Sequence, residues 1–79
     1  MFNALSTVTF SPVFSNSLIS LGMCFSKLGN HKKALTLTDD VLSNNPNNAE
    51  ALYNKSLILG RLHRNSESLI FLNKAIDED

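Results

Sequence analysis

Apolar positions recur along this chain at helical rather than strand spacing. Leu18, Leu21, Phe25 and Leu28 stand at i, i+3, i+7 and i+10, which is one face of a helix. A second stripe, Ala34, Leu37 and Val41 with Leu42, follows a short break. Both patterns then return, as Leu52, Ser56, Leu59 and Leu62, and as Ser68, Phe71 and Ala75 with Ile76. Four short amphipathic helices are expected, separated at "LGNH", "SNNPNNAE" and "LHRN". Gly29 is placed to end the first helix in the left-handed conformation, and Asn30 and Asn65 to cap the helices that follow the two tight breaks. Pro46 cannot continue a helix and biases Asn45 toward extended geometry. Asn47, with Glu50 three residues on, is then the expected cap of the third helix.

The two halves also match residue by residue at an offset of 34. Leu18 meets Leu52, Met23 meets Leu57, Phe25 meets Leu59, Val41 meets Ala75 and Leu42 meets Ile76, and even Pro12 and Pro46 agree. Apolar character kept at a fixed period of this length marks a stacked helical repeat. Gly22 and Ser56 fall on matched positions where a small side chain lets the neighbouring helix approach.

Leu18, Leu21 with Gly22, Phe25, Ala34 and Pro46 together resemble the tetratricopeptide repeat, and Leu52, Ser56, Leu59, Ser68 and Ala75 resemble a second copy. The resemblance implies an all-α fold, a right-handed α-solenoid of stacked antiparallel helix pairs. Repeats would span 15–48 and 49–79, with 1–14 a partial unit or cap. In that register Met1–Ser11 stands where the last helix of a preceding unit would lie, although Thr7, Val8, Thr9 and Phe10 are poor helix formers and a strand or irregular segment competes. Departures from the pattern are Lys55 opposite Leu21, Thr38 at a position often aromatic, and Ser68 for Ala34. The stem of Lys55 is expected to lie on apolar surface with its ammonium in solvent.

The resemblance further implies that the first helices of successive units line a concave groove for an extended peptide or a partner helix. Carried over position by position, the first unit would present Asn16, Ile19, Ser20, Met23, Ser26 and Lys27. The second would present Glu50, Tyr53, Asn54, Leu57, Gly60 and Arg61. Spacing alone puts Ile19, Met23 and Lys27 on one stripe, and Tyr53, Leu57 and Arg61 on its copy. Met23 and Leu57 would form an adaptable apolar floor, Tyr53 an anchor, and Asn54 a backbone-binding amide. Lys27 and Arg61 would favour acidic groups. A family clamp for a terminal carboxylate is not expected, since Ile19 and Met23 stand where its basic residue and first asparagine would be.

Composition narrows the chemistry. With 79 residues, 43% of them hydrophobic, and a formal net charge of 0, the chain suits one small folded domain without the basic footprint of a nucleic-acid binder. Residues 1–14 carry neither basic residues nor the long apolar core of a secretory leader, and no run is long enough to span a bilayer. A cytoplasmic chain is expected. The one cysteine, Cys24, fits a reducing compartment and a buried structural role. His31 and His63 fall in turns without acidic or thiol neighbours at metal-ligand spacing, so neither a catalytic centre, a metal nor a cofactor is expected. The reading is a non-catalytic protein–protein interaction module, a scaffold or assembly factor. Its alternatives are a segment of a larger repeat-containing enzyme, or a chain that self-associates as a homodimer through an uncovered end.

Overall fold

The computed structural model describes residues 12–78, and every regular element among them is a helix. Helix α1 spans Pro12–Lys27, α2 His31–Asn44, α3 Ala49–Arg61 and α4 Asn65–Glu78. The expectations for Met1–Ser11 lie outside the described residues. α1 packs on α2 and α3 on α4 as two hairpins, α2 packs on α3 to join them, and α1 also touches α3.

The two hairpin turns are the same structure made from different residues. The Asn30 N–H bonds the Phe25 carbonyl (2.8 Å) and the Gly29 N–H that of Ser26 (3.0 Å). One repeat later, the Arg64 N–H bonds Leu59 (2.9 Å) and the His63 N–H bonds Gly60 (3.1 Å). These bonds use carbonyls that a helix end otherwise leaves empty, and they require a left-handed residue at the second position of the turn. Gly29 supplies it at φ 89°, and His63 is forced into it at φ 62°.

Helix starts differ in part from expectation. Asn30 does cap α2, its side chain accepting from the Lys33 N–H at 3.3 Å. α3 is capped by Asn48 rather than Asn47, with the Ala51 N–H donating to Asn48 Oδ1 at 3.0 Å. Asn65 is already the first residue of α4, so it is not its cap. There Arg64 reaches forward to Glu67 with two bonds of 2.7 Å. That pairing holds the Glu67 carboxyl below its ordinary range and raises the guanidinium.

Close approach explains the small residues. A Cβ on Gly22 would stand 3.4 Å from the Ala34 carbonyl oxygen and 3.4 Å from Thr38 Oγ1, so α1 and α2 are in contact through backbone there. In the second hairpin Ser56 holds the matched position, and Ser68 Oγ on α4 donates to the Ser56 carbonyl at 2.7 Å. Ser68, where the first hairpin has Ala34, thus ties the crossing with a hydrogen bond.

The buried stripe of α1 is not the expected one. Leu21 and Leu28 are exposed and Leu18 and Phe25 only half-buried, while Ile19, Gly22 and Ser26 are buried. Ile19 forms the joint between hairpins with Val41 and Ala51, flanked by Leu18 and Leu42. In α3 the expected Leu52, Ser56 and Leu59 are buried, and so are Ala51, Asn54 and Ile58. Cys24, expected inside, is exposed. A repeat helix has three neighbours: its partner, the unit before and the unit after. α1 has no described unit before it and α3 none after it, so matched positions meet different surroundings.

Candidate functional site

The seam where α1 lies beside α3 is the candidate site. It is held at one end by Arg61, whose Nη1 donates to Ser26 Oγ at 3.1 Å, and Ser26 Oγ in turn lies 3.3 Å from His31 Nδ1. His31, expected in a turn, is instead the first residue of α2 and half-buried in this chain of contacts. Ser26 is not a groove-lining group but a buried link between hairpins.

Of the residues expected to line a groove, the structure leaves Asn16, Ser20, Lys27, Glu50, Tyr53 and Arg61 exposed, with Met23, Leu57 and Gly60 half-buried between them. Ile19 and Asn54 are corrections. Ile19 is 2% exposed and Asn54 6% exposed. Ile19 packs against Ala51 of the neighbouring hairpin, and neither side chain is open to a ligand. Their copies show the reason: Tyr53, 34 residues after Ile19, is 47% exposed because no further helix covers it. Tyr53 sits instead at the rim of a hollow of about 520 Å³ between the first turn of α3 and the end of α4, shared with Leu72, Ala75 and Ile76.

The seam carries a charge gradient. Lys27 and Arg61 stand at the C-terminal ends of α1 and α3, where cations also complement the helix dipoles, and Glu50 stands at the N-terminus of α3. Met23 and Leu57, one turn before Lys27 and Arg61 in sequence, are half-buried.

On the opposite side of the joint Lys55 behaves unlike the expectation for it. Its Nζ bonds Asp39 Oδ1 of α2 at 2.7 Å and lies 4.4 Å from the centre of the Phe71 ring of α4. One ammonium thereby touches both hairpins. Sequence reading missed this pair, although a lysine in a leucine's place with an aspartate sixteen residues earlier was its signal.

Among the described residues no three His, Cys, Asp or Glu side chains gather to hold a metal ion, and no helix is long and apolar enough to cross a membrane.

Two helical hairpins of matched sequence, stacked so that α2 of the first supports α3 of the second, define a helical-repeat protein. The chain belongs to the tetratricopeptide repeat family: the family's model matches residues 15–48 and again 49–79. Repeats of this family are in general non-catalytic protein–protein interaction modules. No curated protein matches the chain.

Proposed function

We propose that the α1–α3 seam holds an extended segment of a protein partner, with acidic groups of that segment at the Lys27–Arg61 end. The observation that carries this reading is the combination of two exposed cations at matched ends of neighbouring helices with half-buried Met23 and Leu57 one turn before them in sequence. Arg61 retains donors beyond the Nη1 bond to Ser26, and guanidinium–carboxylate bonds are among the stronger polar contacts available. Glu50 at the far end disfavours acidic side chains there, which gives the bound segment a direction. Ile19 and Asn54 serve as walls of the joint beneath the groove.

Selection of peptides from a random display library on the immobilised chain tests the reading. Enriched sequences are expected to carry Asp or Glu next to an apolar residue. Their binding is expected to fall at least tenfold in Lys27→Glu and in Leu57→Lys, at unchanged helicity. Failure to enrich any peptide, or binders indifferent to both substitutions, would overturn it.

A further inference from the structure

We propose that copies of this chain stack head to tail, the α1 face of one seated on the α4 face of the next, in the geometry the chain already uses between its own hairpins. This goes beyond the groove and does not depend on it.

The chain contains one unit-to-unit joint, and each side of that joint has a copy 34 residues away. On the α2 side are Leu35, which lines a hollow with Leu62 of the other hairpin, and Val41 and Leu42 with Ile19 of α1. Shifted forward by 34 residues, these become Leu69, Ala75, Ile76 and Tyr53, of which Leu69, Ile76 and Tyr53 are 60%, 63% and 47% exposed. On the α3 side are Ala51, which packs with Ile19 and Val41, Lys55, which bonds Asp39, and Leu62, which shares a hollow with Leu35 and Asp39. Shifted back, these become Ser17, Leu21 and Leu28, all exposed, Leu28 by 83%. Among the described residues, five of the six large exposed apolar side chains therefore lie on these two faces, Ile70 being the exception. Each face repeats the positions of one half of the internal joint, with Tyr53 for Ile19, Ala75 for Val41 and Ser17 for Ala51, so the two faces match each other in position rather than each matching itself. The hollow beside Tyr53 and Ile76 is open to receive the incoming helix.

The occupant follows from this continuity: a second copy presenting α1. Such a joint is heterologous, leaves a free face at each end, and grows rather than closing at two. It also differs chemically from the internal joint, because the copies of Lys55 and Asp39 are Leu21 and Asn73. No ion pair forms between copies by this rule, so salt does not weaken the contact, and sulfate strengthens it.

Sedimentation equilibrium of the full chain over a wide concentration range is the test, with Leu28→Lys and Ile76→Lys as variants. Both substituted side chains are exposed, and circular dichroism checks that helicity is kept. Should either variant lose helicity, Leu21→Lys and Leu69→Lys replace them. The wild-type mass is expected to rise past that of a dimer, and each variant alone to associate at least tenfold more weakly. An equimolar mixture of the two variants has one intact face of each kind and is expected to form a dimer and stop there. The Cys24 thiol, between Leu21 and Leu28 on α1, is expected to be alkylated more slowly by maleimide as the wild type associates. A wild type that stays monomeric overturns the proposal. So does a Leu28→Lys chain that dimerises as well as wild type, which would mean that α4 faces meet each other, and so does a variant mixture that does not associate.

Discussion

Among the described residues, one residue with a Cβ, His63 at φ 62°, is held in left-handed backbone. Left-handed backbone costs a residue with a Cβ about 1 kcal/mol or more, and His63 accepts that cost because the turn bonds of Arg64 and His63 permit no other geometry. His63→Gly is expected to stabilise the chain by about 0.5–1 kcal/mol, read as a rise in melting temperature of several degrees. An unchanged or lower value would mean that the side chain contributes more than its backbone costs. Gly22 is the opposite case. Leucine there would drive a branched side chain into the Ala34 carbonyl and Thr38, and a loss of about 1–3 kcal/mol in denaturant unfolding is expected. The roles of the glycines are legible in the residue pattern alone, Gly22 from its pairing with Ser56 and Gly29 from its place after a helix. His63 is legible as the copy of Gly29, but its histidine identity draws attention to ligand chemistry and away from the backbone.

At the scale of single helices, the caps decide where each element begins. Asn48→Ala is expected to cost about 1 kcal/mol, because the Ala51 N–H loses its acceptor. Asn47→Ala is expected to be nearly neutral, and thermal melts of the two variants side by side locate the start of α3. Helix number and the breaks between helices are readable from periodicity and from Gly29, Asn30 and Pro46. The choice between neighbouring asparagines is not, since Asn47 and Asn48 have equal intrinsic capping ability and only the packed α3 fixes the frame. The buried side of α1 is misread from the sequence for a related reason. Leu21 and Leu28 continue a leucine pattern that suits a helix flanked on both sides, yet among the described residues the helices packed on α1 are α2 and α3, and the residues buried there are Ile19, Gly22 and Ser26. For the candidate site this has a direct consequence. The exposure of Lys27 and Arg61 follows from stripe and spacing, whereas the burial of Ile19 and Asn54 depends on which side of each helix has a neighbour.

Across the whole molecule, the two hairpins are joined by an apolar contact around Ile19, Val41 and Ala51, with a polar tie on each flank: Arg61 to Ser26 and Lys55 to Asp39. The Lys55–Asp39 pair is partly shielded and its ammonium also faces the Phe71 ring, so it should exceed an ordinary surface ion pair only modestly. A double-mutant cycle with Lys55→Met and Asp39→Asn is expected to give a coupling of about 0.5–1 kcal/mol. Additive losses would assign the whole effect to packing of the lysine stem. Lys55 is also the one lysine of the chain that is not exposed. Its amine should therefore be the slowest of the five to acylate in a limited reaction with an amine-reactive ester, while Lys27, Lys32, Lys33 and Lys74 react freely. Once the hairpins part, the same amine becomes as reactive as the others. A mass-spectrometric label at Lys55 thus acts as a chemical clock for the opening of the joint, built into the chain without any added probe.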